Sequence, residues 1–173
     1  STRRVHACIA RPRRPQCGMA DLEPGTRVPD DITFTGPDGP VRLGDLIGEK
    51  VLVLYFYPKD ETTGCTAEAC SFRDLYQDFQ DAGADVVGVS RDSAEDHAKF
   101  KANHRLPFRL LTDKGGAAAK RMGVKKTFGI IPGRVTFVID TQGVVRLRFD
   151  SQMNAKKHVS DALEMVRSLA KAA

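Results

Sequence analysis

No stretch of this 173-residue chain stays apolar for the roughly 20 residues that a membrane-spanning helix needs. The longest such run, residues 51–57, has the length of a buried strand, so no membrane span is expected. Cysteine is scarce as well. There are 4, at positions 8, 17, 65 and 70, and none after Cys70. Thiols bunched in this way cannot staple a chain of this length, which excludes a disulfide framework and makes their value chemical. There is no Cys-x-x-Cys pair of the thioredoxin type and no second cysteine pair at zinc-site spacing. Glycine-rich phosphate-binding signatures are missing, and Ser71 stands where a phosphatase loop would place its arginine. We expect neither a metal nor a cofactor.

Residues 1–17 lack any acidic residue and carry Arg3, Arg4, Arg11, Arg13 and Arg14. With these set aside, 22 basic residues face 22 acidic ones, so the net charge of +5 belongs to the tail and the body is neutral. That distribution argues against a nucleic-acid partner, which needs a basic face on the folded body. The tail holds Pro12 and Pro15, shows no apolar period and cannot build a core. Arg-rich, acid-free N-terminal segments are typical of organelle transit peptides. We therefore expect residues 1–20 to be a disordered basic tail, a transit-peptide remnant, ahead of one domain over residues 21–173. Cys8 and Cys17 then read as passenger thiols.

What the body does contain is an alternation of strand and helix patterns. Residues 32–35 alternate apolar and polar, and residues 36–40 are a dense Gly/Pro turn signal. Residues 41–47 fit a short strand or a helical turn. Residues 51–57 are apolar on both faces, as in a central strand covered on both sides. A helix is expected over 66–82, with Ala69, Phe72, Leu75, Tyr76 and Phe79 on one face and Gly83 as its stop. A second buried strand follows at 85–90, then a helix at 94–103 capped by Ser93, a short strand at 108–111 and a short helix at 115–122. Residues 123–132 read as a loop, 134–140 and 144–149 as a hairpin, and 155–170 as an amphipathic closing helix. Alternation followed by an antiparallel pair implies an α/β fold, a mixed central sheet flanked by helices.

Cys65 sits where the central strand, ended by Pro58, runs through Thr62-Thr63-Gly64 into a helix. A helix start offers unpaired N–H groups and the positive end of the dipole, which favour a thiolate. Gly64 permits close approach, and the Thr62 hydroxyl can donate to the sulfur or to a bound oxygen. The polar neighbours Asp60, Glu61, Thr62 and Thr63 fit poorly with Cys65 as a mere buried hydrophobe. Cys70 lies about 7.5 Å further along a continuous helix, beyond disulfide reach. It is either a helix-core cysteine or a partner that meets Cys65 only when the first turns unwind. Nearby charges cancel, so a cation for the thiolate has to come from elsewhere. Arg134, which opens a strand just after Pro132-Gly133, is the first candidate and Arg73 its competitor, with a purely structural ion pair as the alternative for Arg134. His6, His97, His104 and His158 are scattered and read as surface residues.

The spacing Pro58, Thr62, Cys65 resembles the peroxiredoxin signature of proline, three residues, threonine, two residues, cysteine. With Cys70 five residues on, Phe56-Tyr57-Pro58, Leu110-Leu111 before Asp113, and Pro132-Gly133-Arg134 before residues 137–140, the chain is similar to the peroxiredoxin Q group, also called bacterioferritin-comigratory proteins. The likeness runs from about Gly25 to the last helix. It implies a thioredoxin-like fold and an atypical two-cysteine peroxidase without metal or haem. Cys65 would be the peroxidatic and Cys70 the resolving cysteine, supported by Pro58, Thr62 and Arg134. Many relatives carry proline where Thr63 stands, so this loop lacks one ring's restraint.

The implied activity is reduction of hydrogen peroxide and organic hydroperoxides through a sulfenic acid and an intramolecular disulfide, regenerated by thioredoxin. Phe128, Ile130 and Ile131 are candidates for an apolar wall beside the substrate. We expect a monomer. Plant and algal members of the group are plastid proteins, which agrees with the Arg-rich tail; a mitochondrial site, or the cytoplasm if the tail is no targeting remnant, is the alternative. The rival reading is a redox-sensing or disulfide-relay interaction protein using the same thiols without turnover.

Overall fold

The computed structural model describes residues 21–172; the basic tail, with His6, Cys8 and Cys17, lies outside the described residues. The strands are β1 (Thr33–Gly36), β2 (Gly39–Arg42), β3 (Val51–Phe56), β4 (Ala84–Ser90), β5 (Arg109–Thr112), β6 (Val135–Ile139) and β7 (Val145–Asp150). The helices are α1 (Thr63–Asp74), α2 (Tyr76–Asp81), α3 (Ala94–His104), α4 (Ala117–Arg121) and α5 (Ala155–Ala172). All seven strands form one mixed sheet in the order β2-β1-β5-β4-β3-β6-β7. The pairs β3–β4 and β4–β5 are parallel, and β1 and β6 join antiparallel. None of the described helices is long and apolar enough to cross a membrane.

The side-chain period of 2 along β3 splits the interior into two cores. Leu52, Leu54 and Phe56 face one layer with Phe34, Leu111, Met122 and Phe137. Val53, Tyr55 and Tyr57 face the other, where α1, α2, α3 and α5 contribute Phe72, Phe79, Phe100 and Val159. Cys65 belongs to this second core. It is held at the helical face of the sheet, beyond the C-terminal end of β3, where open α/β sheets place their reactive groups.

The helix expected over residues 66–82 begins earlier and breaks. It starts at Thr63 and leaves helical geometry at Leu75 (φ −105°, ψ 8°) before α2 resumes. Across this break the Phe72 and Phe79 rings meet at 5.6 Å, which joins α1 and α2 in one aromatic cluster. Residues 41–47 divide between β2 and a 3-10 turn at Leu43–Leu46. The short helix expected from Gly115 is pushed back to Ala117 because Gly115 and Gly116 are both left-handed (φ 70° and 74°). Ser93 caps α3 as its sequence suggests, accepting from the Asp96 N–H at 3.1 Å.

Phe72 is fully buried and stacks on Tyr55 with ring centroids 4.6 Å apart. Phe72→Ala should therefore destabilise the fold by about 3–5 kcal/mol, read from urea unfolding. A loss below about 1 kcal/mol would mean that this aromatic cluster does not anchor α1.

Candidate active site

Thr62 is the residue before the first turn of α1, and its backbone is extended (φ −77°, ψ 152°). Its side chain does not cap the helix; the hydroxyl instead donates to the Lys59 carbonyl at 3.0 Å. The first helical bond beyond it runs from the Thr66 N–H to the Thr62 carbonyl at 2.8 Å, so the N–H groups of Thr63, Gly64 and Cys65 precede the ladder. Cys65 thus sits in the first turn, at the positive end of the helix dipole. The expected donation from Thr62 to the sulfur or to a bound oxygen is not made in this structure, where its proton is directed to Lys59.

The sulfur is nevertheless buried, at 1% exposure, and unbonded to another cysteine. Its partner is Arg134, 69 positions away in sequence, whose Nη2 donates to Sγ at 3.3 Å. Arg134 is itself buried and uses its other terminal nitrogen, Nη1, on Glu68 Oε1 at 3.0 Å. One planar fork therefore bridges two side chains that lie three apart on one helical face. Arg73 does not take this role: its guanidinium bonds the His104 carbonyl and Asp74, away from the thiol. Cys70 is partly exposed on the same unbroken helix and is likewise a free thiol.

Two of the histidines that read as surface residues are buried, which corrects that expectation for His97 and His158. His158 lies behind Glu68. Its Nε2 donates to the Ser151 carbonyl at 2.7 Å, and the Thr136 hydroxyl stands 2.8 Å from Nδ1. Burial, with the nearby Arg134 charge, lowers its pKa to about 4, so the ring is neutral at pH 7. Burial also raises Glu68 to about 8 against the pull of Arg134. On the sheet side, burial first and then the charges of Glu68 and Cys65 push the Tyr55 hydroxyl well above its ordinary range.

A second polar cluster holds the loop that leads into α1. Asp60 accepts from Tyr57, lies 2.7 Å from His97 Nδ1, and donates its N–H to Asp92 at 2.9 Å. His97 Nε2 is 3.1 Å from the Leu111 carbonyl. Glu61, at φ 62°, is pinned to α3 by His104 and Asn103, each at 2.9 Å, and the His104 contact is the main reason its carboxyl is held below its usual range. Asp60, Asp92 and His97 are close enough to hold a metal ion. Their atoms are already committed to one another, to Tyr57 and to Ser90, which suits a structural pin.

Pro58 is half-buried between the end of β3 and this pinned loop. Phe128, Ile130 and Ile131 lie in a tight turn closed by Thr127 and Ile131 and are exposed, Phe128 at 90% and Ile130 at 80%. Gln152 ties this turn down through Thr127 and Pro132. Glu68, His158 and the Asp60–His97 pair were not picked out from the sequence. The one available signal was Glu68, a carboxylate three residues after Cys65 on the face expected to point inward.

Comparison with known proteins adds an independent line. Residues 24–148 match the model of the AhpC/TSA family. Chloroplastic peroxiredoxin Q of Sedum lineare is 46% identical over 143 residues, 82% of this chain and 76% of that protein. Among solved structures, peroxidoxin BcpB of Mycobacterium tuberculosis matches with a TM-score of 0.78 at 37% identity, covering 86% of this chain and 98% of the other. The bacterioferritin comigratory protein of Xanthomonas campestris, described for its alkyl peroxide reduction activity, gives 0.76 at 29% identity and covers 86% and 99%.

A β-carbon at Gly64 would stand 3.0 Å from Arg134 Nη2. Gly64→Ala should therefore leave thermal stability level or slightly higher, since alanine favours the helix, yet displace the guanidinium tip. Reaction of Cys65 with hydrogen peroxide, followed by quench-flow alkylation, should slow by about 10-fold. An unchanged rate would show that the fork tolerates the intrusion.

Proposed function

The chain belongs to the AhpC/TSA family and, within it, to the peroxiredoxin Q group, and from that premise we propose that Cys65 is its peroxidatic thiolate and Cys70 its resolving thiol. It is a thiol peroxidase, acting on a peroxide with a thiol reductant. The observation that carries the assignment is the Arg134 hydrogen bond to Cys65 Sγ in the first turn of a helix. A cation and a set of free backbone N–H groups there favour a thiolate and the charge that moves onto a leaving oxygen.

In the proposed cycle the Cys65 thiolate attacks the terminal oxygen of the hydroperoxide. The O–O bond breaks, the leaving oxygen takes a proton to become water or an alcohol, and Cys65 is oxidised to a sulfenic acid. Arg134 stabilises the departing oxygen. Thr62, its proton engaged by Lys59, accepts a hydrogen bond from the hydroperoxide, and Pro58 shapes the loop around them. The start of α1 then unwinds, Cys70 attacks the sulfenic sulfur and water leaves. An external dithiol, thioredoxin in this proposal, reduces the resulting disulfide.

The exposed apolar side chains of Phe128, Ile130 and Ile131 support organic hydroperoxides as substrates beside hydrogen peroxide. The alkyl peroxide activity described for the Xanthomonas campestris relative points the same way. The names of the plant relatives and the Arg-rich tail support a plastid location, with residues 1–20 as a transit remnant and residues 21–173 as the working domain. We take the protein to act as a monomer, since both thiols of the cycle lie on one helix.

Cys65→Ser should fold normally and lose turnover with peroxide, thioredoxin and thioredoxin reductase. Cys70→Ser should react once at close to the wild-type rate, stall as the sulfenic acid, and go on to a sulfinic acid under excess peroxide, seen by mass spectrometry as two added oxygens. In the wild type, oxidation should raise amide exchange across residues 66–72. A disulfide mapped to Cys8 or Cys17, or an oxidised helix start as protected as the reduced one, would contradict the assignment.

A further inference from the structure

Glu68 is fully buried in a site where a carboxylate has little to gain. Its Oε1 accepts from Arg134, but its Oε2 has no hydrogen-bond partner. The group facing Oε2 is His158 Nδ1, 3.6 Å away. Because His158 Nε2 carries its proton toward the Ser151 carbonyl, the neutral ring presents a lone pair at Nδ1, where the Thr136 hydroxyl donates. That lone pair is taken by Thr136, so His158 offers Oε2 no donor, and a carboxylate charge on Oε2 would stand buried without a partner. The other ionisable groups around Glu68 are Cys65 on its own helix, Arg134 at the start of β6 and Tyr55 on β3. Of these only Arg134 favours ionisation, and the same guanidinium contacts the Cys65 sulfur.

We propose that Glu68 is a positioning residue that works as a neutral carboxylic acid: it fixes the Arg134 fork against Cys65 without neutralising it, and its ionisation is an alkaline brake on Cys65 oxidation. While Glu68 holds its proton, the guanidinium charge is directed at the thiolate and the departing oxygen. When Glu68 releases that proton to solvent, a carboxylate pairs with Arg134 and adds a negative charge three residues from Cys65 on the same helical face. Both changes oppose charge at the reacting sulfur. Burial is what keeps Glu68 protonated at neutral pH, and His158, held neutral and oriented by Ser151 and Thr136, supplies neither a charge nor a donor that would favour the carboxylate. The proposal rests on the reading of Cys65 as the peroxide-reactive thiol.

The test is the second-order rate of Cys65 oxidation by hydrogen peroxide from about pH 6 to about pH 10, measured by quench-flow and alkylation on the full chain. The wild-type rate should fall on the alkaline side with a midpoint near the Glu68 value of about 8. Glu68→Ala, which removes the acceptor, should slow the reaction by about 10-fold or more at neutral pH. Glu68→Gln keeps an acceptor for Arg134 and cannot ionise. It should recover most of that loss and hold a level rate where the wild type falls. In parallel, the infrared carbonyl band of a protonated carboxylic acid should disappear over the same range in the wild type and be missing in Glu68→Gln. A wild-type rate with no alkaline fall, or the same fall in Glu68→Gln, overturns the proposal even if a variant folds poorly. No oxidation of Cys65 at any pH would instead remove the assignment of the thiol, while the infrared band would still report whether Glu68 holds its proton.

Discussion

The structure around the reactive thiol depends on one guanidinium. Arg134 joins a helix start to a strand start: Nη2 reaches Cys65 at 3.3 Å while Nη1 holds Glu68 at 3.0 Å. A buried charge of this kind is strongly destabilising without partners. Here its partners lie on a single helical face, and they aim the fork where a thiolate needs it. The packing around it serves that placement. β6 pairs antiparallel with the central strand β3, so Val135 lies opposite Phe56 and Arg134 emerges beside the loop that leads from β3 into α1.

The same region has to come apart for the two thiols to meet. Cys65 and Cys70 share an unbroken helix, so a bond between them requires the first turns of α1 to unwind. That helix start is held by Arg134 through Cys65 and Glu68, and by the loop before it. Asp60–His97 and Glu61–His104 tie the preceding loop to α3, whereas Cys70 is partly exposed. Surface contacts such as Glu61–His104 contribute little individually. The buried Asp60–His97–Tyr57 cluster is the stronger restraint, and it lies before the segment that would unwind. The loop can stay anchored while residues 66–72 rearrange.

Much of this was legible in the sequence, and the remainder was hidden for physical reasons. The central strand, the strand-to-helix junction at Cys65 and an arginine opening a later strand can be read from local pattern, because strand ends, glycines and lone buried charges carry their own signatures. The break at Leu75 could not be read, since the spacing of Phe72 and Phe79 also fits an unbroken helix. The histidines were misplaced for a similar reason. His97 and His158 are buried because Asp60 and Ser151 receive their ring nitrogens, and such partners are set by tertiary placement. Thr62 was expected in the loop before the helix; that it directly precedes α1, and that its proton turns toward Lys59, depends on a turn that only the folded loop defines.

The account stands on the claim that a planar fork, and not positive charge alone, activates Cys65. Arg134→Lys isolates that difference, because a single ammonium keeps the charge but cannot bond Glu68 and the sulfur from two separate nitrogens in one plane. The measurement is the second-order rate of Cys65 oxidation by hydrogen peroxide in the lysine variant, with thermal melting alongside. A rate lower by about 100-fold with a melting temperature close to wild type is the predicted result. A rate equal to wild type would contradict the account and assign the activation of Cys65 to the helix start alone.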